Sequence, residues 1–320
     1  MSVRVSPELP VRRSDEGGRR HSVLSESLTG SYPPLVTPFV EGRVDFDAYS
    51  DLIEFQIQHG SHGILVNGTS AEPSTLSIEE RNELVRVAVA TARGRVPVIA
   101  ASGSQSQADS IALTEAASAA GVDALLIITP YFIRPPQRGL IAYYADLARH
   151  THLPWMIYHI PGRAAVTLEL STLEQIADAC PGFVGIKHAS GDFALLTAIL
   201  ERFGKDFRVF VGLEEFTFPM MVLGAAGTMN AVGNIVPGKV AALCNAIRAG
   251  RTEEARALHF ALNELFLAVF YDTNPIPVKY MMRRLGILKR NEHRLPMLSA
   301  TPELERRLDA LLARNGLIEG

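Results

Sequence analysis

Short apolar runs alternate with longer amphipathic segments along most of this chain, and this alternation restricts its fold more than any other feature. Each apolar run has the length of a buried strand, and few charges interrupt it, as expected of parallel strands covered on both faces. The eight runs span residues 33–39, 63–68, 96–102, 124–130, 154–160, 183–189, 207–212 and 227–232. The segments with helical spacing span residues 46–60, 77–93, 107–121, 137–150, 168–180, 192–204, 215–224 and 237–250. A strand followed by a helix, eight times over, predicts an α/β fold of the (β/α)8 TIM barrel type.

The domain organisation follows from where this pattern begins and ends. We predict a flexible N-terminal tail over residues 1–30, the barrel over 31–251 and a C-terminal helical region over 252–320. The last region has helical patterns at 252–271, 277–286 and 302–315 with no strand between them. A doubly wound open sheet is the alternative, but residues 36–43 lack the Gly-rich phosphate turn that usually follows its first strand.

Composition and charge exclude several classes of partner. The formal net charge of -3 gives no indication of a nucleic-acid partner. The chain has no apolar run of about 18 residues, so no membrane span is expected. The first 30 residues lack the apolar core of a secretory signal. The two cysteines, Cys180 and Cys244, lie in helical patterns rather than in a disulfide framework, which favours a reducing, cytoplasmic compartment.

The catalytic groups of such a barrel are expected at the carboxyl ends of its strands. This rule nominates a small set of side chains: Thr37, Gly68, Thr69, Ser70, Tyr131, Phe132, Tyr158, His159, Arg163, Lys187, Gly212, Glu214 and Glu215.

Lys187 is the most informative of these residues. The chain has only five lysines against 26 arginines, and Lys187 lies inside the apolar sixth strand. Lysine is rarely buried without a partner or a purpose. Burial penalises the charged ammonium, and a neutral amine is what imine formation requires. The alternative is a structural lysine paired with a carboxylate of a neighbouring strand.

Three further groups fit a covalent reaction at this amine. Tyr158 ends the preceding strand and has a phenol suited to proton relay, although a packed barrel aromatic is equally compatible with its position. The turn at Thr69 and Ser70 offers hydroxyls and backbone N–H groups to a substrate carboxylate, but such residues are common at strand ends. Arg163 is suited to gripping a second carboxylate, and by position alone a surface loop arginine fits better.

A metal-dependent mechanism is the main rival. The paired histidines His59/His62 and His150/His152 fall at helix ends, on the opposite mouth of the barrel. His159 and His188 each follow a candidate catalytic residue, so strand alternation turns them away from the lumen. We therefore expect neither a zinc site nor any other cofactor.

Six segments in one order make the chain similar to the dihydrodipicolinate synthase/N-acetylneuraminate lyase family. They are GTSAEPSTLS (68–77), TPYFIRPPQRGL (129–140), YHIPGR (158–163), GIKHASGD (185–192), GAAGTMNAVGN (224–234) and TNPIPVK (273–279). The resemblance runs from about Gly30 to near the C-terminus. It implies a Schiff-base lyase that binds pyruvate as an imine, usually as a homotetramer with a C-terminal helical region.

The resemblance also implies roles for individual residues. Lys187 would form the imine, and Tyr158 would relay protons. Thr69 and Ser70 would bind the pyruvate carboxylate and join the relay. Arg163 would bind the carboxylate of an aldehyde partner. The remaining implied pocket residues are Gly212, Met229 and Phe132.

The chain departs from the family pattern at several positions. Synthases have a second tyrosine where Phe132 stands, and a phenyl ring cannot carry a proton to a neighbouring subunit, so the relay must stop at Thr69 or use water. Ala71 and Pro73 replace a Gly and a Ser of the common motif. Pro73, Ile78 and Arg81 fall at inhibitor-contact positions of lysine-inhibited members, which weighs against lysine feedback. Glu214 and Glu215 are expected near the pocket mouth, where they would alter the preferred aldehyde.

Three functions therefore stand. The first is condensation of pyruvate with aspartate semialdehyde, which Arg163 favours and Phe132 disfavours. The second is an aldolase or dehydratase acting on a 2-keto-3-deoxy sugar acid or a related 2-oxo acid. The third is a catalytically idle paralogue with a binding role, which the joint presence of Lys187, Tyr158, Thr69 and Ser70 disfavours.

Overall fold

Eight parallel strands form one curled sheet in the computed structural model, which describes residues 28–319. In chain order the barrel strands are β1 (Gly30–Ser31), β4 (Ile64–Val66), β5 (Val98–Ala101), β6 (Ala124–Ile128), β7 (Trp155–His159), β8 (Phe183–His188), β9 (Arg208–Val211) and β10 (Gly227–Thr228). Their spatial order is β1-β10-β9-β8-β7-β6-β5-β4, and every ladder is parallel. A separate antiparallel hairpin is formed by β2 (Phe39–Val40) and β3 (Arg43–Val44).

The barrel closes between β4 and the segment that follows β1. Pro34 and Leu65 form an isolated parallel bridge, and the Leu65 N–H donates to the Pro33 carbonyl at 3.0 Å. Two consecutive prolines have no N–H to donate, which limits the ladder here. For this reason the first strand lies at Gly30–Ser31 rather than over the predicted residues 33–39.

The start of the barrel therefore precedes the predicted boundary at residue 31. Gly30 pairs with Gly227, where an added Cβ would lie 2.0 Å from the Gly30 carbonyl oxygen, so only glycine allows this approach of β10. Leu28 is already buried. The rest of the predicted tail lies outside the described residues.

Helices follow the strands as the spacing predicts. They are α1 (Phe46–Gln58), α2 (Ile78–Ala92), α3 (Gln107–Ala120), α4 (Gln137–Leu147), α5 (Pro161–Ala164), α6 (Leu170–Ala179), α7 (Phe193–Phe203), α8 (Thr217–Val222) and α9 (Pro237–Arg248). The short α5 is an addition that the sequence pattern did not predict. A capping box begins α2, because Ser77 Oγ accepts from the Glu80 N–H at 3.2 Å and Glu80 accepts from the Ser77 N–H at 3.0 Å.

Strand alternation divides the buried side chains into two sets. One set fills the lumen and includes Leu126, Met156, Tyr158 and Phe210. The other set, which includes Ile157, packs between the strands and the helices. Because Tyr158 pairs in register with Lys187, both side chains share the lumen side of the sheet.

Three helices follow the last barrel helix: α10 (Thr252–Ala268), α11 (Ile276–Arg284) and α12 (Pro302–Arg314). All side chains of α11 from Ile276 to Met282 are buried, so this helix is an integral part of the packing. Cys180 and Cys244 are both free and buried. None of the helices within residues 28–319 is long and apolar enough to cross a membrane.

Candidate active site

Lys187 lies near the carboxyl end of β8 and is only 3% exposed. Its Nζ lies 4.2 Å from the centroid of the Tyr158 ring. Across residues 28–319 its Nζ forms no ion pair with a carboxylate. The alternative of a structural lysine held by a neighbouring carboxylate is therefore not realised here.

Lys279 shows what that alternative looks like in the same molecule. It is 0% exposed, and its Nζ donates to Glu72 Oε1 at 3.0 Å and to the Thr37 carbonyl at 2.9 Å. Such a buried ion pair offsets the cost of burying the charge. The two buried lysines thus differ in kind: Lys279 is paired, and Lys187 is not.

Tyr158 connects Lys187 to the turn after β4. The Tyr158 hydroxyl lies 3.2 Å from Thr69 Oγ1, and either oxygen can donate. The phenol is buried at the end of β7, next to the amine in the register of the sheet. This arrangement places a chain of two hydroxyls beside Lys187, as acid–base catalysis requires.

The turn that contains Thr69 and Ser70 is fixed from both sides. Thr37 Oγ1 donates to the Ala71 carbonyl at 2.8 Å, and Asn274 Nδ2 donates to Ser70 Oγ at 2.9 Å. Asn274 lies within the segment TNPIPVK (273–279) but is not among the predicted site residues. Its partner is 204 residues away, so no local pattern could have indicated the contact.

Glu214 departs from its predicted place at the pocket mouth. It is buried and lines the same cavity as Lys187. Its Oε1 accepts from the Ala231 N–H at 2.5 Å, and within residues 28–319 its Oε2 has no hydrogen-bond partner. Burial raises the pKa of Glu214 to about 7, and the nearby Lys187 partly opposes this shift. A carboxyl group that titrates near neutral pH in the same cavity as an amine is a candidate proton donor or acceptor.

Most of the predicted site residues share one cavity. The predicted residues that line it are Lys187, Gly212, Met229, Thr69, Ser70, Tyr158 and Arg163, and Glu214 and Asn274 line it as well. A larger adjoining cavity of about 330 Å³ shares Thr69, Tyr158, Arg163 and Asn274 with it and extends to Arg81 and Tyr131. Arg163 is exposed on α5 at the junction of the two cavities.

Phe132 is the exception among the predicted binding residues. Its side chain is 87% exposed and lines neither cavity, whereas the preceding Tyr131 lines the larger one. The backbone after β6 takes up the left-handed conformation at Phe132, with φ of 78°. The ring points outward, so Phe132 is not part of the lining of either cavity in this chain, and its role in substrate binding stays a prediction.

The histidines lie where strand alternation predicts. His159 and His188 are buried on the side of β7 and β8 that faces the helices, and they contact each other rather than the cavity. In the described part of the chain, no group of three or more His, Cys, Asp or Glu side chains is arranged to hold a metal ion.

The fold and the site together define a (β/α)8-barrel enzyme with a buried, unpaired lysine near the carboxyl ends of the strands. Residues 27–315 match the Dihydrodipicolinate synthetase family, and the chain belongs to that family. It is 43% identical over 290 residues to a 4-hydroxy-tetrahydrodipicolinate synthase of Thermus thermophilus, covering 90% of this chain and 97% of the relative.

Solved structures agree with this assignment. The crystal structure of dihydrodipicolinate synthase from Aquifex aeolicus has a TM-score of 0.89 at 36% identity, covering 92% of this chain and 100% of that one. The enzyme from Acinetobacter baumannii, described as complexed with pyruvate, has a TM-score of 0.88 at 33% identity, covering 91% of this chain and 100% of that one. These comparisons confirm the predicted family and barrel fold.

Proposed function

We propose that this protein is a Schiff-base lyase that condenses pyruvate with aspartate semialdehyde, the reaction of a 4-hydroxy-tetrahydrodipicolinate synthase. The observation that carries the proposal is the unpaired amine of Lys187, buried beside Tyr158 in a cavity that Thr69 and Ser70 also line. The curated relatives that share this family have that name, and one related structure contains pyruvate.

In the proposed reaction, Lys187 Nζ attacks the keto carbon of pyruvate and forms a carbinolamine. Loss of water then gives the imine, and removal of a proton from the methyl carbon gives the enamine nucleophile. Tyr158 and Thr69 supply and accept these protons, since their hydroxyls are within hydrogen-bonding distance of each other. The Ser70 hydroxyl and the backbone N–H groups of the same turn bind the pyruvate carboxylate.

The aldehyde partner enters through the larger cavity. Arg163 lies at the junction of the two cavities, where its guanidinium can bind the carboxylate of aspartate semialdehyde in bidentate geometry. The enamine carbon attacks the aldehyde carbon, and a proton from the relay neutralises the new alkoxide. Because Phe132 has no hydroxyl, we infer that the relay ends at Thr69 or in water.

The test of the proposal is covalent capture. The protein is incubated with pyruvate, reduced with borohydride and weighed intact. We expect one adduct per chain that is lost in Lys187→Ala and kept in Lys205→Ala, an exposed lysine outside the cavities. Absence of an adduct in the parent protein would instead support an idle paralogue with a binding role.

Glu214 supports one alternative substrate class. A buried carboxyl with a free oxygen beside Lys187 offers a partner for a hydroxyl of a 2-keto-3-deoxy sugar acid. Turnover of aspartate semialdehyde is therefore compared with turnover of a panel of hydroxylated 2-oxo acids. Activity confined to the panel would replace the synthase assignment with an aldolase or dehydratase.

We further propose that the protein self-associates, as the predicted homotetramer. The exposed Phe132 and Ile133 follow Tyr131, and the exposed Leu295 precedes Pro296, while Tyr131 and Pro296 both line the larger cavity. Apolar side chains exposed around one opening are typical of an interface. Light scattering on the full chain tests this, and a monomer at micromolar concentration would refute it.

A further inference from the structure

A second buried pair lies directly behind the reactive residues. His159 follows Tyr158 on β7 and His188 follows Lys187 on β8, and the two histidines are also in register. Both rings are fully buried, with their Nδ1 atoms 3.3 Å apart. No step of the proposed reaction uses them.

The contacts at the two ends determine where the protons lie. The Leu168 N–H donates to His159 Nε2 at 3.3 Å, so this nitrogen is an acceptor and the proton of a neutral His159 lies on Nδ1. The Asp192 carbonyl, which can only accept, lies 3.1 Å from His188 Nε2, so His188 has its proton on Nε2. His159 Nδ1–H therefore donates to the free Nδ1 of His188.

The result is a hydrogen-bond chain with a single direction, from Leu168 N–H through both rings to the Asp192 carbonyl. An added proton on His159 Nε2 would face the Leu168 N–H, and one on His188 Nδ1 would face the His159 N–H. Either added proton would break one hydrogen bond, so the three hydrogen bonds form together only when both rings are neutral. Burial lowers the pKa of His159 to about 4 and also lowers the pKa of His188. For both rings this effect of burial is larger than the opposing effect of Asp192, which raises the pKa.

This hydrogen-bond chain connects two segments that lie next to the site. Leu168 belongs to the loop that returns from α5, the helix of Arg163, and Asp192 caps α7 by accepting from the Leu195 N–H at 2.9 Å. The backbone of the pair continues the connection, since the His159 carbonyl accepts from the Ala189 N–H at 2.8 Å and the His188 carbonyl from the Gly212 N–H at 2.9 Å. Gly212 lines the cavity of Lys187.

We propose that His159 and His188 are positioning residues, whose neutral, directed hydrogen-bond chain holds the loop that follows α5, the helix of Arg163, and the ends of β7 and β8 in place beside the cavity of Lys187. The inference rests on the proposed function, since the positioned groups are those of the imine site. We therefore expect the pair to affect binding of the aldehyde partner more than binding of pyruvate. The reason is that the hydrogen-bond chain ends at Leu168, in the loop that follows the helix of Arg163, and not on Lys187 itself.

The kinetic test compares two substitutions at one position. His159→Phe keeps a flat ring and removes both hydrogen bonds, whereas His159→Gln keeps one acceptor and one donor. We expect His159→Phe to raise the KM for aspartate semialdehyde about tenfold with a smaller effect on pyruvate capture, and His159→Gln to recover to within about threefold of the parent. The control is His259→Phe, which should retain parental kinetics, because His259 is a buried histidine whose ring contacts Phe218 and Phe266 and which lines neither cavity.

Two outcomes overturn the inference. Parental KM values in His159→Phe would reduce the pair to core packing, and a folded His159→Gln that is no better than His159→Phe would exclude the hydrogen-bond chain. Failure of the parent protein to capture pyruvate is a different result, which removes the proposed function.

A second test measures the tautomers and charge of the two rings by nitrogen NMR of the histidine-labelled parent protein. It does not depend on whether His159→Phe folds. At pH 6 we expect two neutral rings of opposite tautomer, with the proton on Nδ1 of His159 and on Nε2 of His188. A charged ring, or two rings of the same tautomer, would overturn the inference without reference to activity.

Discussion

Asn274 donates a 2.9 Å hydrogen bond to the hydroxyl of Ser70, so a residue of the C-terminal region orients a group at the barrel mouth. Both side chains are buried and line the cavity of Lys187. The connection between α10 and α11 therefore contributes to the site itself, and removing this amide should be visible in substrate binding.

We expect Asn274→Leu to raise the KM for pyruvate about three- to tenfold, because one hydrogen bond to the Ser70 hydroxyl is lost, while kcat falls less. Steady-state kinetics measure both constants. Asn315→Ala, which removes an amide bonded to Glu264 on the surface, is the control. A KM equal to that of the parent would show that Ser70 is oriented without Asn274.

Tyr158→Phe should lower turnover by a factor of about 10² to 10⁴, the usual range for an acid–base group, since it removes the hydroxyl bonded to Thr69. Tyr144→Phe is the matched control, because Tyr144 is also buried but its hydroxyl donates to the Ile127 carbonyl, at 3.4 Å, and lines neither cavity. Unchanged turnover in Tyr158→Phe would exclude the relay.

Arg163→Ala should impair use of the aldehyde partner much more than imine formation, because Arg163 is exposed and lines both cavities, whereas Lys187 is buried and lines the smaller cavity but not the larger. We expect the KM for the semialdehyde to rise by about tenfold or more, as for loss of a charge-assisted hydrogen bond. Borohydride capture of pyruvate reports the first step separately, and Arg202→Ala, an exposed arginine paired with Glu174, is the control. Equal loss of both steps would show that Arg163 has a different role.

Glu214 should make stability depend on pH in a defined direction. Its pKa is raised from 4.5 to about 7, so between these values the unfolded chain loses a proton that the folded protein keeps, and stability falls as pH rises. The full penalty, about 3 kcal/mol, is present above pH 7 and absent below pH 4.5.

Glu214→Gln should remove this penalty, so its stability relative to the parent should be greater at pH 8 than at pH 4.5. Urea denaturation at the two pH values measures the difference, and Glu253→Gln corrects for the loss of one surface carboxylate. A relative stability that does not change with pH would mean that Glu214 is ionised throughout.

Lys279→Met should destabilise the protein by about 3 to 5 kcal/mol, because it removes the ammonium group from the buried Glu72 and leaves only the His293 ring beside that carboxylate oxygen. Adding Glu72→Gln should recover much of the loss, since the uncompensated charge is then removed as well. Urea denaturation of the single and double variants gives the coupling energy. Strictly additive losses would mean that the pair contributes nothing beyond its separate packing.

Local patterns were sufficient for the fold and for the centre of the site. Charge-free strand runs and helical spacing predicted the barrel, because covered parallel strands and amphipathic helices impose those periods on a sequence. A lysine within such a run, one strand after a tyrosine, then predicted that Lys187 and Tyr158 share the lumen, and the register of β7 and β8 confirms it. Alternation also placed His159 and His188 on the opposite side of the sheet.

Contacts between distant segments were decided only by the tertiary structure. The pairing of Lys279 with Glu72 spans 207 residues, and the hydrogen bond from Asn274 to Ser70 spans 204, so neither leaves a periodic trace in the sequence. The outward turn at Phe132 depends on backbone dihedrals. The burial of Glu214 depends on its bond to the Ala231 N–H, 17 residues further along the chain. Sequence periodicity records which face of an element is buried, whereas the partner that a polar group meets depends on how the elements pack.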